Sequence, residues 1–195
     1  VLHHPNYPDI PGLASFGGAC FHTARWDHGV PLDGRRIGVI GNGSTGVQII
    51  SALATRAGRL HHFQRTAQWI MPVENPAFTD EQRAAFRADP ALLHYMQNQP
   101  DYLANVERFN NSLVNADSQG IAEIEATCLA NLENSVRDPV LREKLRPNYR
   151  AACKRLIYSP DYYEAIQHPN AELVTDGIEC IEPVSYTHLR AHETD

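Results

Sequence analysis

Arg35-Arg36-Ile37-Gly38-Val39-Ile40-Gly41-Asn42-Gly43-Ser44-Thr45-Gly46 decides the fold of this 195-residue chain. Its first half is a short β-branched run, which reads as a buried strand. It enters a G-x-G-x-x-G. After the glycines, Val47, Ile50, Leu53 and Ala54 recur at helical spacing, and Gly58 is expected to stop that helix. Leu60 to Arg65 then reads as a second strand. Strand, glycine turn, helix and strand together open a dinucleotide-binding βαβ unit.

Each glycine has a physical task in that setting. Gly41 permits the tight turn, Gly43 lets a pyrophosphate approach the backbone, and Gly46 lets helix and strand pack closely. The amides at the helix start face the phosphates, aided by the helix dipole. Gly41, Asn42, Gly43, Ser44, Thr45 and Gly46, with Gln48 on the helix, are therefore the cofactor-binding candidates. A plain tight turn without ligand is the alternative. The end of the second strand selects the nucleotide. An acidic residue there would accept from ribose hydroxyls, but this chain has Gln64-Arg65-Thr66, with Arg65 24 residues after Gly41. A guanidinium and a hydroxyl suit a 2′-phosphate, so NADP(H) is expected at Arg65 and Thr66. The other reading of Arg65 is a solvated surface charge.

Outward from this unit the chain changes character. Pro5, Pro8, Pro11 and Gly12 make the first residues a connecting segment, and 1–34 is expected to be a linker. Residues 35–183 are expected to form an α/β, Rossmann-type domain. Within it, about 79–146 reads as a helical insertion. Thr79-Asp80-Glu81-Gln82 is a capping box, and Asp89-Pro90, Gln99-Pro100 and Asp138-Pro139 punctuate further helices. Leu103, Val106, Phe109 and Leu113 form one apolar stripe, and Ile121, Ile124, Cys128, Leu132 and Val136 another. Packed helices with solvated outer faces account for both. Ala171-Glu172-Leu173-Val174-Thr175 reads as a late strand, followed by the start of a crossover to Pro183. Residues 184–195 show no strand or helix periodicity and read as non-native sequence.

Bulk properties narrow the field. Hydrophobic residues at 43% suit a packed core. A formal charge of -6 argues against nucleic acid or an anionic membrane as the main partner. No apolar run reaches the length of a membrane span. Cys20, Cys128, Cys153 and Cys180 are widely spaced, which fits free thiols in a reducing compartment and a cytoplasmic location. The adjacent pairs His3-His4 and His61-His62 point to opposite faces of a strand, so no metal site is expected.

A second motif lies upstream. Phe16-Gly17-Gly18-Ala19-Cys20-Phe21-His22-Thr23-Ala24-Arg25-Trp26-Asp27 reads F-x-G-x-x-x-H-x-x-x-W-D. Followed by the glycine turn at this spacing, it resembles the type I Baeyer–Villiger monooxygenases, over roughly residues 1–183. The segment Leu145-Arg146-Pro147-Asn148-Tyr149 through Cys153-Lys154-Arg155 to Ser159-Pro160-Asp161-Tyr162-Tyr163 is similar to a further family segment. In it the residue before the cysteine, often Gly, is Ala152 here.

The resemblance implies a flavoenzyme with two dinucleotide-binding domains, FAD and NADPH as cofactors, and a ketone and molecular oxygen as substrates. Oxygen would be inserted beside the ketone, giving an ester or lactone. It implies that Lys154 also reaches the 2′-phosphate. Arg155 would face the flavin as the catalytic residue, its fixed charge stabilising negative charge that develops during reaction. Phe16, Gly18, His22, Trp26 and Asp27 would form a hinge motif, with His22 and Trp26 governing domain movement. The FAD-binding motif of the family lies upstream of these residues, so the chain is expected to cover the NADPH-binding domain and to be inactive alone. An N- or S-oxygenating flavin monooxygenase is the first alternative. Such relatives usually end the motif with an aromatic and a basic residue, so Asp27 speaks for the Baeyer–Villiger branch. A non-catalytic NADPH-binding module is the second. The particular substrate and the oligomeric state are not legible.

Overall fold

The computed structural model describes residues 4–114 and 119–188. The chain folds as two compact units. The first comprises 1–67, 136–145 and 161–195; the second comprises 68–135 and 146–160.

In the first unit, β1 (Arg36–Ile40) runs into the glycine turn and α1 (Ser44–Leu53) follows. The chain returns through β2 (Arg59–Phe63). The second unit then holds β3 (Ile70–Met71), α2 (Asp80–Ala88), α3 (Ala91–Gln97), α4 (Pro100–Leu113) and α5 (Gln119–Ser135). The first unit resumes with α6 (Pro139–Lys144); β4 (Ile157–Tyr158) belongs to the second. The first unit then completes with α7 (Tyr162–Ala165), β5 (Ala171–Val174), β6 (Ile178–Glu182) and β7 (Ser185–His188). The protein is thus α/β with a parallel sheet. Its three strands run in the order β1-β2-β5, with Gly38 opposite His61 and His62 opposite Leu173.

The core of the first unit follows from two periodicities. Val47, Ile50 and Leu53 are the buried face of α1, and Leu60 and Phe63 are buried on β2. The helix stops at Leu53, five residues before Gly58. Gly58 is therefore not the helix stop that was expected. It is instead a close-approach residue, because a Cβ there would lie 2.4 Å from the Gly34 carbonyl oxygen. The crossover expected after Gly177 is an antiparallel ribbon of β6 and β7. The reading of 184–195 as lacking any strand is corrected for Ser185–His188, whose backbone pairs with β6. Residues 189–195 lie outside the described residues.

The segment before β1 carries two single turns of 3₁₀ helix, Leu13–Ser15 and Thr23–Arg25. It is tied to β6 and the residue after it. Ile181 N–H donates to the Pro11 carbonyl at 2.8 Å, and Gly17 N–H to the Pro183 carbonyl at 2.7 Å.

In the second unit, Trp69, Ile121, Ile124, Cys128, Ala151 and Leu156 form the core, with Phe109 and Tyr149 packed against it. The stripe expected on α5 is its buried face. The stripe expected on α4 is buried only in part, because Leu103 and Val106 are exposed while Phe109 packs against the core. Helical spacing marks one face of a helix but does not supply a partner for it. The capping box on α2 forms as expected, with Thr79 Oγ1 accepting from Gln82 N and Gln82 Oε1 accepting from Thr79 N. No helix among the described residues is long and apolar enough to cross a membrane.

Candidate functional site: the glycine turn

The turn between β1 and α1 is held in one conformation by backbone geometry. Gly41 has φ 102°, a left-handed value that a side chain rarely adopts. A Cβ on Gly46 would lie 2.1 Å from the Gly41 carbonyl oxygen, so only glycine lets α1 begin so close to the strand end. At Gly43, the N-cap of α1, the requirement is different. Its φ of -69° suits any residue, and a Cβ there would meet nothing within 4 Å. The space over Gly43 is open, and the first amides of α1 border it without intrahelical partners. Ser44 is half-buried there, while Thr45 and Gln48 are exposed.

Three buried polar side chains lock the turn from beneath. Asn42 donates one amide hydrogen to Gln64 Oε1 at 3.0 Å and the other to the Thr66 carbonyl at 2.7 Å. Asn42 thereby joins the turn to the end of β2, but with its amide group turned inward. Gln64 in turn donates to the Lys144 carbonyl at the end of α6, at 2.9 Å. The third is His62, with no exposed surface. Its Nε2 lies 3.2 Å from the Gly41 carbonyl oxygen and its Nδ1 lies 3.1 Å from the Tyr162 hydroxyl. Burial lowers its pKa to about 4, against a smaller opposing effect of the Gly41 carbonyl. His62 is therefore neutral at ordinary pH. A carbonyl only accepts, so Nε2 carries the proton and Nδ1 accepts from Tyr162. Burial also keeps Tyr162 protonated, by raising its pKa. His61, on the opposite face, meets Glu172 at 3.4 Å.

Arg65 is exposed just past β2, and Thr66 is half-buried beside it. The structure thus brings Gly41–Gly46, Gln64 and Thr66 together at the carboxyl end of the sheet, with Arg65 next in sequence. No carboxylate pairs with Arg65 among the described residues.

The upstream motif also lies in the first unit. Phe16 stacks where a Cβ on Gly18 would be, 2.7 Å from its ring. His22 Nδ1 accepts from Ala24 N at 3.0 Å, and the Tyr7 hydroxyl accepts from His22 N at 3.0 Å. Phe21 and Trp26 meet edge to face at 5.2 Å. Asp27 Oδ1 accepts from Gly29 N at 2.9 Å. Lys154 and Arg155 are in the second unit, exposed on the turn before β4. Lys154 Nζ stands 4.6 Å from the Tyr149 ring centre. Ala152, two residues earlier, has φ 70°. This is the position at which the resembling segment often has Gly, and the left-handed backbone explains why. Cys20, Cys128, Cys153 and Cys180 form no disulfide, and no group of three or more His, Cys, Asp or Glu among the described residues could hold a metal ion.

His62, Gln64 and Tyr162 were not among the sequence candidates. The signal for His62 was weak: a polar residue in an otherwise apolar strand, whose partner Tyr162 lies 100 residues on.

A glycine turn opening at the carboxyl end of a parallel sheet defines the class as an α/β protein. Residues 2–81 match the family described as Flavin-binding monooxygenase-like. An uncharacterized monooxygenase of Mycobacterium tuberculosis is 47% identical over 184 residues, which is 93% of this chain and 36% of that protein. A Baeyer–Villiger monooxygenase of Streptomyces coelicolor is 36% identical over 177 residues, 91% of this chain and 34% of that protein. Among solved structures, cyclohexanone monooxygenase from Rhodococcus sp. Phi1 bound to NADP+ matches with a TM-score of 0.75 and 28% identity. That match covers 94% of this chain and 41% of the solved one. Over the stretch it spans, the chain is similar to the type I Baeyer–Villiger monooxygenases, as its motifs imply. It spans about a third of the length of the curated relatives it matches.

Proposed function

We propose that this chain is the NADPH-binding, Rossmann-type part of an FAD-dependent monooxygenase that inserts oxygen beside a ketone carbonyl, giving an ester or lactone. The observation that carries the reading is the open space over Gly43, bordered by the free amides of α1 and followed at the end of β2 by Thr66 and Arg65. The amides of Ser44, Thr45 and Gly46 would bind the pyrophosphate, with the helix dipole behind them. Asn42 shapes the turn from below, and Gln48 lines α1 one turn on. Arg65, Thr66 and Lys154 would hold the 2′-phosphate. FAD, held chiefly by sequence beyond this chain, supplies the reaction with oxygen once reduced by NADPH. Arg155 would keep a permanent positive charge at the flavin, since a guanidinium does not lose its proton near neutral pH. His22 and Trp26, on the segment before β1, would act in domain movement.

The test is nucleotide titration of the full-length protein. NADPH should bind at least about tenfold more tightly than NADH, equivalent to roughly 1.4 kcal/mol, and Arg65→Ala should abolish that preference. Gly43→Ala should lose both nucleotides while its melting temperature holds, because the added methyl meets only ligand. Arg155→Ala should cut ester formation about a hundredfold while NADPH oxidation continues. Equal affinity for the two nucleotides, or wild-type binding in Gly43→Ala, overturns the assignment of this turn. Ester formation near the wild-type rate overturns the role of Arg155.

A further inference from the structure

The geometry points to His62 as a positioning residue for the nucleotide pyrophosphate, acting through the Gly41 carbonyl and held in orientation by the Tyr162 hydroxyl. The inference rests on the proposed nucleotide reading of the turn and adds to it a part that no motif marks.

In a glycine turn that cradles phosphate, the amides must point at the ligand and the carbonyls away from it, since a carbonyl oxygen repels an anion. Gly41 is the residue whose peptide can rotate most freely, because glycine populates both signs of φ. Its amide is already used, donating to the Phe63 carbonyl at 3.0 Å. Its carbonyl is the one group of the residue left to be oriented. His62 Nε2 is 3.2 Å from that oxygen and the imidazole has no exposed surface, so the ring serves no ligand directly. The same nitrogen is 3.8 Å from where a Cβ on Gly46 would be, which puts the ring directly beneath the start of α1.

The ring would not hold this orientation alone. A neutral imidazole can carry its proton on either nitrogen, and in the Nδ1–H form Nε2 would present a lone pair to the carbonyl. The Gly41 carbonyl removes that choice, because it can only accept, and Tyr162 then holds the ring in place. Its buried hydroxyl lies 3.1 Å from Nδ1 at a 90° ring angle and donates to the lone pair that the Nε2–H form leaves there. Across the sheet His62 is flanked by Val39 and Leu173, neither of which titrates. Tyr162 on α7 thus orients the ring, from 100 residues away in sequence.

The test uses the full chain and the probes NADPH and NADH. The pyrophosphate is common to both, so His62→Leu should weaken both by the same factor, about tenfold, and keep their ratio. This separates it from Arg65→Ala, which should change the ratio. His62→Gln, whose amide can replace the Nε2–H donor, should recover most of the affinity. Tyr162→Phe, which keeps the ring and removes only the hydroxyl, should weaken both nucleotides severalfold, and it decides the matter if His62→Leu does not fold. Nitrogen-15 spectra of the wild-type ring should show the proton on Nε2. Wild-type affinity for both nucleotides in a folded His62→Leu or Tyr162→Phe, or a proton on Nδ1, overturns the inference and leaves the nucleotide reading intact. Failure of the wild-type chain to bind either nucleotide overturns the nucleotide reading itself, and this inference with it.

Discussion

His62 makes the fold sensitive to acid in a defined window. Its pKa is depressed by burial to about 4, from an ordinary value of 6.5. Above pH 6.5 the ring is neutral in folded and unfolded chains alike, and stability does not change through it. Between pH 6.5 and about 4 the unfolded chain takes up a proton that the folded chain refuses, so stability falls as pH falls. At about 1.4 kcal/mol per pH unit, the whole window amounts to roughly 3 kcal/mol. Urea unfolding at pH 7 and pH 5 should show the loss in the wild type and a smaller one in His62→Gln. Equal losses in the two proteins would mean that the ring is hydrated. Asn42 shows a different lesson at the same scale. The glycine pattern made it a candidate ligand, yet both its amide hydrogens are spent inside the protein. Its side-chain amide holds the shape of the turn.

At the scale of elements, α4 and α5 separate pattern from packing. Both carry an apolar stripe at helical spacing. On α5 the stripe is core, with Leu132 1% exposed. On α4, Leu103 is 47% exposed. Leu132→Ala should therefore cost about 2–5 kcal/mol and Leu103→Ala no more than about 0.5 kcal/mol. Chemical denaturation of the two variants measures the contrast, and similar losses would place Leu103 in a core. The same distinction governs β2. Period-two alternation put His61 and His62 on opposite faces, but only the neighbours on each face set one beside Glu172 and make the other a prop beneath a turn.

At the scale of the whole molecule, β6 and β7 add a two-stranded ribbon to the first unit. Such a ribbon is marginal by itself. What ties this region to the upstream motif are the bonds of Ile181 and Pro183, which lie before β7. Deleting residues 185–195 should therefore cost at most about 1 kcal/mol and leave nucleotide affinity unchanged. A calorimetric comparison with the intact chain tests this. A loss of several kcal/mol would show that β7 holds β6 in place.

Sequence alone determined the features set by local backbone chemistry. The β1–turn–α1–β2 order, the buried faces of α1 and α5, and the capping box at Thr79 were all legible in it. In each case the cause lies within a few residues: a φ only glycine takes, a 3.6-residue period, or a hydroxyl three residues from an amide. Tertiary structure decided the rest. It set β5 beside β2, left Leu103 and Val106 of the α4 stripe exposed, paired β7 with β6, and placed Tyr162 under His62. Each of these depends on contacts between residues far apart in the chain, where many partners are compatible with the same local pattern. Only the packed fold, in which a buried carbonyl and a buried imidazole must each find a partner, selects among them.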